Sequence, residues 1–387
     1  MRKFIIAMIA ALSVITAGLI LLLVFVLNSG SRLSSFTGEI TSLGSPAADL
    51  VRTSNYSLEG ITELTLEYSS DDVFFYESDT QELILKEYMS IEPKENELTQ
   101  VKQSGSLLQL RSGERMQRNW LFNHYNGYVE VYLPSSYAGS LSVGTSSGSI
   151  SSDPALRLER CEATASSGDI CFKEVVAPQI TASTSSGSIR FDKAEGSRGF
   201  TSSSGDIMVL GGDGDSSFSS TSGSIIIKEN TGRLSAGASS GDISITKVFG
   251  DKDIETTSGV ITISDCTGFL RASSSSGNIS CSNQTGAGSF ETTSGSVIVD
   301  WAGGVSALDM DISADTSSGD VSFRIPEAWS FDFEARTSSG RINTYFDDLL
   351  SFKDRGDHAK GSVGSNPSHR INISTTSGNI TVKSNGK

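Results

Sequence analysis

A column of acidic and amide side chains is the first feature of the sequence that could do chemistry. The dipeptide Ser-Gly, followed two residues later by Ile or Val, occurs twelve times from Gly148 to Gly378. Stacked carboxylates directly after these glycines could bind Ca²⁺, which prefers oxygen ligands. Val260, Arg341 and four Ser residues interrupt the column, and Asp and Asn are common turn residues. The pattern therefore favours a structural role, and the sequence predicts no metal and no cofactor. The residues are Asp169, Asp206, Asp242, Asn278, Asp320 and Asn379.

A second acidic motif is Gly211-Gly212-Asp213-Gly214-Asp215, which is similar to the Ca²⁺-binding nonapeptide repeat. That repeat places an Asp where Ser216 stands, and it occurs in tandem copies, whereas one copy occurs here. The motif is interpreted as an acidic turn.

The four cysteines lack the C-x-x-C spacing of metal sites. Outside the cell they could form disulfides. Cys161 and Cys281 fall on positions normally held by inward apolar residues, Cys171 falls on an outward position, and Cys266 lies in a return stretch. The register therefore favours buried cysteines that act as small apolar residues.

The residue types of an enzyme are scarce. His124, His358 and His369 are isolated, and no Gly-x-Ser-x-Gly elbow accompanies the abundant Ser. A polysaccharide-cleaving β-solenoid needs clustered carboxylates and a cation on one exposed sheet, and the outward positions show no obvious cluster. The sequence thus predicts a non-enzyme with no catalytic residue.

Three tryptophans could anchor an interface or stack on sugars. Trp120, Trp301 and Trp329 lie outside the strands that are rich in small residues, and the favoured interpretation is that they plug ends and corners of the fold.

The composition indicates a structural or binding protein. Asp and Glu outnumber Lys and Arg by 45 to 30, which gives a net charge of −15 and argues against a nucleic-acid partner. Hydrophobic residues make up 37%, and the 39 Gly residues do not recur at every third position, which argues against wholesale disorder and against collagen.

The spacing of the repeat predicts the elements that carry these residues. The Gly-to-Gly spacing is 18 residues six times in succession, preceded by 20 and 19 and followed by 24, 21 and 38. Apolar residues alternate at period two on both sides of the Gly, and their phase changes at it, which indicates two strands joined at a corner. We expect the Gly to occupy that corner because it tolerates positive φ.

One such coil cannot bury its apolar side alone, but stacked coils can. The sequence therefore predicts an all-β fold, a parallel β-solenoid of about 18 residues per coil preceded by one transmembrane helix. The alternative is a β-sandwich with hairpins every 8–12 residues.

The predicted domains follow from composition. Residues 1–27 hold a short cytoplasmic end with Arg2 and Lys3 and an uncharged span, 4–27, which is long enough for a signal-anchor helix; a cleaved signal peptide is the alternative. Residues 28–50 form a Ser/Gly linker, 51–140 an irregular β cap, and 141–387 the repetitive solenoid with a loop insertion near 343–370. The solenoid is then extracytoplasmic, on a single-pass protein of the cell membrane.

Several segments resemble the bacterial DUF-type putative adhesin domain family, a β-strand-repeat family of unknown function, over residues 55–385. They are Tyr128–Pro134 in combination with the Ser-Gly-Asp-Ile repeats, and then Arg324–Glu327, Ser330–Phe333, Thr337–Gly340 and Thr375–Ile380. The resemblance implies surface binding and supplies no catalytic residues. The leading hypothesis is a membrane-anchored adhesin or surface-binding module of a bacterial envelope, with surface glycans or envelope proteins as partners. The alternatives are an envelope-stress sensing or scaffold component and a polysaccharide-active enzyme.

Overall fold

The structure is a computed structural model that describes residues 48–114, 126–302, 310–353 and 356–385. Every element below belongs to one compact unit, residues 48–387.

The described residues form 32 strands and two short 3-10 helices, Glu95–Glu97 and Asp347–Leu349. The strands are β1 Asp49–Ser57, β2 Glu63–Tyr68, β3 Asp72–Ser78, β4 Glu82–Met89, β5 Gln100–Ser104, β6 Leu107–Arg111, β7 Gly127–Pro134, β8 Ser140–Thr145, β9 Ile150–Arg157, β10 Arg160–Ala165, β11 Ile170–Thr184, β12 Ile189–Ser202, β13 Ile207–Val209, β14 Gly212–Asp213, β15 Ser216–Ser220, β16 Ile225–Thr231, β17 Leu234–Ala238, β18 Ile243–Phe249, β19 Lys252–Thr256, β20 Ile261–Ser264, β21 Leu270–Ser274, β22 Ile279–Gln284, β23 Gly288–Thr292, β24 Val297–Trp301, β25 Ile312–Ser318, β26 Val321–Ile325, β27 Phe331–Thr337, β28 Ile342–Thr344, β29 Leu350–Phe352, β30 His358–Val363, β31 Arg370–Ser377 and β32 Ile380–Ser384.

Each regular coil contributes one strand to each of two walls. In one such coil β15 lies in wall A, the Ser-Gly corner follows at Gly223, and β16 lies in wall B before the chain returns to wall A. Each strand pairs in parallel with the strand one repeat later, as β15 does with β17 and β16 with β18. The coil of 18 residues is thus confirmed, and the parallel register rules out a sandwich of hairpins.

The core lies between the walls and consists of stacked identical positions. The isoleucine two residues after the corner glycine is fully buried in coil after coil, and in β16 and β18 these isoleucines are direct partners. Phenylalanine rings stack in the same space, with ring centroids 4.4 Å apart for Phe191 and Phe200 and 5.2 Å apart for Phe200 and Phe218. Burial of each such side chain stabilises the fold by about 1.5–3 kcal/mol.

The twelve repeat glycines are required because of a contact between coils, and not because of their own backbone conformation. None has φ between +20° and +160°, so the expectation of a positive φ is wrong. A Cβ built on any of them would lie 1.7–2.2 Å from a backbone carbonyl oxygen of the adjacent coil. The glycine is required because successive coils approach too closely at this corner for any side chain.

A hydroxyl side chain three residues before the glycine completes the corner. In the coil around Gly259, the buried Thr256 Oγ1 accepts the N–H of Gly259 at 3.1 Å and donates to the carbonyl of Gly241 at 3.2 Å. Ser274 and Thr292 make the same pair-wise link to their adjacent coil. In these coils the Thr or Ser at this position is therefore explained by the hydrogen bonds that its buried hydroxyl makes.

Both ends of the stack depart from chain order. The coil of β2 and β3 lies between the coil of β6 and β7 and that of β8 and β9, although β6 and β7 come later in the chain than β2 and β3. Likewise the final coil, β31 and β32, is inserted between β25 and β26 on one side and β27 and β28 on the other.

Antiparallel strands cover most of the outer edges. β4 and then β1 add to β7 in wall B, while β5 adds to β6 in wall A. At the other end the segment predicted as a loop, 343–370, contains a hairpin of β29 and β30 that pairs with β27. Covered edges limit pairing with other chains, which an open parallel edge would invite.

Inward polar side chains donate to carbonyls at the return corner between the walls. A buried carbonyl without a donor would cost about 1–3 kcal/mol. Burial lowers the pKa of Lys252, whose ammonium bonds two such carbonyls. The donors are Arg198 Nη2 to Gly214 O (2.6 Å), Lys252 Nζ to Gly250 O (2.6 Å), Gln284 Nε2 to Gly268 O (2.8 Å) and Trp301 Nε1 to Gly286 O (2.9 Å).

One part of the predicted fold class, the transmembrane helix before the solenoid, needs correction. The predicted transmembrane span, residues 4–27, lies outside the described residues. Among the residues that are described, no helix has both the length and the apolar character needed to cross a bilayer. For that part of the chain the fold class is all-β, without the predicted transmembrane helix.

Candidate functional site

Five aromatic side chains share the outer surface of wall B near the first coils. Phe74 and Tyr76 come from β3, Tyr128 and Tyr132 from β7, and Tyr88 from β4. All five are half-buried. We call this set the tyrosine face.

Strand alternation places these rings outside. On β3 and β7 the intervening residues Val73, Phe75, Val129 and Val131 point inward and are buried. Successive side chains of a strand point to opposite faces, so the aromatic residues between them must point outward. The sequence therefore places large aromatic rings on the solvent side of three neighbouring strands.

Register brings the rings together in two rows. Tyr88 pairs with Tyr128 across the antiparallel β4 and β7, and their rings stack with centroids 4.3 Å apart and planes 10° apart. Phe74 meets Tyr128 edge-on at 5.8 Å. In the second row Tyr76 pairs with Tyr132, with centroids 5.3 Å apart.

A charged pair lies between the two rows. Glu130 Oε2 accepts hydrogen bonds from the hydroxyls of Tyr88 and Tyr132, each at 3.0 Å. The ammonium of Lys86 is 4.2 Å from the ring centroid of Tyr132 and donates to its hydroxyl at 3.0 Å. The carboxylate thus holds the hydroxyls of Tyr88 and Tyr132.

Burial and a nearby carboxylate favour the neutral form of Tyr88, Tyr76 and Tyr128. Burial raises the pKa of Tyr88 to about 12, and the hydrogen bond to Glu130 and its charge add to the rise. Burial and the same carboxylate raise the pKa of Tyr76 and of Tyr128. These phenols therefore remain hydrogen-bond donors at physiological pH.

Sequence reasoning missed the tyrosine face and looked at tryptophans instead. Trp301 and Trp329 are 1% and 2% exposed and pack against each other with ring centroids 5.7 Å apart, so both lie in the interior and neither is exposed for an interface. Trp120 lies outside the described residues. The available signal was aromatic residues at the outward positions of Val73–Tyr76 and Tyr128–Leu133, two segments predicted as strands.

The acidic column after the repeat glycines forms a hydrogen-bond ladder between coils. Asp206 Oδ1 accepts the N–H of Ser224 at 2.8 Å, and Asp242 Oδ1 accepts that of Val260 at 2.8 Å. Asp169, Asn278, Asp320 and Asn379 do the same in their coils. The structural interpretation of this column is confirmed for these six residues.

The acidic motif at Gly211–Asp215 belongs to a second ladder at the return corner. Asp215 Oδ1 accepts the N–H of Arg233 at 2.9 Å. Two coils further along the stack, Asp251 Oδ1 accepts the N–H of Phe269 at 3.0 Å. Asp213 accepts a hydrogen bond from Thr231. The motif is therefore part of the stack.

The histidine-bearing segment lies at the far end of wall A. His358 Nε2 is 3.3 Å from Glu334 Oε1, and Arg336 also contacts that carboxylate, while His369 Nδ1 is 3.8 Å from Asp311. A cavity of about 310 Å³ beside Glu334 and Arg336 is also lined by Asp315. His124 lies outside the described residues.

The predicted register of the cysteines is confirmed. Cys161, Cys266 and Cys281 are buried, Cys171 is exposed, and all four are free. Burial raises the pKa of Cys161 to about 12 and raises that of Cys281 as well.

We expect one thiol of the four to react in the native protein. At about pH 8 iodoacetamide should alkylate Cys171 alone, because the thiolate is the nucleophile and the other three are buried. Peptide mapping by mass spectrometry measures this, and all four should react in concentrated guanidinium. Native labelling should vanish in Cys171→Ser; labelling of Cys281 as fast as that of Cys171 would contradict the buried register.

A family model described as Toastrack DUF4097 matches residues 61–248 and 305–383. One similar solved structure is a putative cell adhesion protein from Clostridium sporogenes, 10% identical, covering 87% of this chain and 99% of its own, with a TM-score of 0.19. Another is a putative adhesin from Bacteroides fragilis, 12% identical, covering 88% of this chain and 99% of its own, with a TM-score of 0.23. No curated protein matches the chain significantly.

Proposed function

The chain belongs to the Toastrack DUF4097 family, and on that premise we propose that it is a surface-binding module that holds glycans on the tyrosine face. The observation that carries the proposal is the cluster of five outward aromatic rings on three adjacent strands. The partners are carbohydrate polymers of a bacterial surface.

The geometry suits a sugar ring. The face of an aromatic ring is electron-rich, and the C–H bonds on one side of a pyranose carry a slight positive charge, so the two surfaces attract. Tyr128 stacks on Tyr88 and meets Phe74 edge-on, so a sugar contacts the parts of these half-buried rings that remain exposed. Rings fixed by such contacts lose little conformational entropy when a ligand binds.

These residues favour the binding of a glycan without its cleavage. Hydrolysis of a glycosidic bond normally uses two carboxyl groups, one of them as a proton donor. Glu130 is the carboxylate at the centre of the tyrosine face, and two phenols and Lys86 surround it. One carboxylate held by these donors does not make up the pair of carboxyl groups that hydrolysis uses.

We expect Tyr128→Ala to weaken glycan binding by about tenfold, which corresponds to about 1.4 kcal/mol. The alanine removes the ring at the centre of the first row. Affinity electrophoresis of the full chain through gels that contain defined soluble polysaccharides measures the change. Tyr128→Phe keeps the ring and should retain binding.

The matched control is Phe249→Ala, which removes an aromatic side chain that is 48% exposed on β18. It should bind as the wild type does. Retention of full affinity by Tyr128→Ala, or an equal loss in Phe249→Ala, would overturn the assignment of the tyrosine face. Thermal unfolding of each variant separates loss of binding from loss of fold.

A further inference from the structure

The three strands of the tyrosine face carry an excess of negative charge. The side chains of Asp72, Glu77, Glu82 and Glu130 are outside the core, and Lys86 is the one cation on these described strands. Asp153 on the adjacent β9 is exposed, and its charge adds to the effects of burial and of Glu130 in raising the pKa of Tyr76. Lys86 offsets Glu130 at 3.9 Å, which leaves the rim acidic.

An ammonium group already occupies part of this surface. Lys86 Nζ lies over the ring of Tyr132 and near the Glu130 carboxylate, so it contacts an aromatic face and a negative charge together. Such a combination attracts ammonium groups through the ring quadrupole as well as the charge. The other rings of the tyrosine face and the carboxylates on its rim offer the same combination to a ligand.

We propose that the glycan bound by the tyrosine face is a polymer of amino sugars with free, protonated amino groups. This inference rests on the proposed function and specifies its ligand class. The sugar rings pack against the exposed parts of the rings of the tyrosine face. The ammonium groups lie against Asp153 and against Oδ2 of Asp72, whose Oδ1 accepts the N–H of Ser149 at 2.7 Å. An anionic glycan is repelled by those carboxylates, and an N-acetylated one lacks the charge that they attract.

The test compares ligands that differ in one group. Chitosan hexasaccharide, its fully N-acetylated counterpart and a polygalacturonate oligomer are titrated into the full chain by calorimetry. The free-amine oligomer should bind at least about tenfold more tightly than the acetylated one, with the anionic oligomer weakest. The preference should shrink as salt is added, because salt screens exposed charges.

Two variants separate stacking from charge recognition. Tyr128→Ala should weaken the free-amine and the acetylated oligomers by similar factors. The double variant Asp72→Asn with Asp153→Asn should lower only the preference for the free amine. The control Glu255→Gln, at an exposed carboxylate of β19 in wall A, should leave the preference unchanged.

The outcomes distinguish the two proposals. If no oligomer binds, or if Tyr128→Ala changes nothing, glycan binding by the tyrosine face is wrong. If the acetylated or anionic oligomer binds as tightly as the free-amine one, glycan binding stands and the amino-sugar preference is wrong. An unchanged preference in the double variant also overturns the role of the rim carboxylates.

Discussion

We expect Gly241→Ala to lower the free energy of unfolding by more than about 4 kcal/mol, which is exceptional for a single substitution. The new Cβ would lie 1.9 Å from the carbonyl oxygen of Gly223 and 2.6 Å from its carbonyl carbon. Both atoms belong to the backbone of the adjacent coil, which parallel pairing holds in place, so neither side can yield cheaply. Urea denaturation followed by circular dichroism measures the loss.

The matched control lies four residues away. A Cβ on Gly237 meets nothing within 4 Å, since this glycine points outward from β17. Gly237→Ala should therefore change stability by no more than about 0.5–1 kcal/mol, in the stabilising direction, because alanine restricts the unfolded chain. Equal losses in the two variants would show that contact between coils is not what requires the repeat glycine.

The position of Gly241 in the middle of the regular coils adds a second readout. In a stacked repeat each unit contacts only its neighbours, so a disrupted central interface uncouples the two halves. Hydrogen exchange of Gly241→Ala should rise first in the coils next to position 241. The Gly237→Ala variant should keep the wild-type exchange pattern.

The second large effect is expected at a buried ion pair near the first edge of wall B. Glu87 is fully buried, and its Oε2 is 2.6 Å from Arg52 Nε. Its Oε1 accepts the N–H of Thr99 at 2.7 Å and the hydroxyl of Thr99 at 2.6 Å, and Arg52 Nη2 donates to the Thr99 carbonyl at 2.6 Å. One carboxylate thus joins β1, β4 and the segment that leads into β5.

Glu87→Gln should destabilise the fold by about 3 kcal/mol, the low end for breaking a buried pair. The low end applies because the Arg52 side chain is 24% exposed, so water solvates part of the charge left behind. Chemical denaturation gives the magnitude, and limited proteolysis should show earlier cleavage between β4 and β5.

An exposed pair provides the comparison for Glu87. Glu67 Oε2 is 2.7 Å from Arg111 Nη2, but these side chains are 45% and 58% exposed. Glu67→Gln should therefore cost less than about 1 kcal/mol. A loss in Glu87→Gln no larger than that in Glu67→Gln would contradict the proposed role of the buried pair.

The regular coils were predictable because their signal is local and repeated. The alternation of Ile225 and Ile227 with outward residues specifies a strand, and recurrence every 18 residues specifies which strands are neighbours. The family resemblance rested partly on these repeats and partly on segments such as Tyr128–Pro134, and it is confirmed by the family model. The reason for the glycine was not predictable, because a clash with the adjacent coil is absent from any single coil.

The tyrosine face could not be predicted from the sequence pattern, although two of its strands could. The strands at Val73–Tyr76 and Tyr128–Leu133 were predicted, but not that β3 and β7 would be direct neighbours. Tyr88 comes from a third strand, which pairs antiparallel to β7. Three segments far apart in sequence therefore contribute to one surface, and no spacing links them.

The period, the inward residues of the coils and the buried register of Cys161 and Cys281 follow from the residue pattern. The order of the end coils follows only from the packing of the folded chain, in which β2 and β3 lie inside β6 and β7 and the final coil is inserted next to β25 and β26. The physical reason is that parallel coils present nearly identical edges to one another. Their local pattern fixes how any two coils pair, whereas the long-range packing of the whole stack selects which two do.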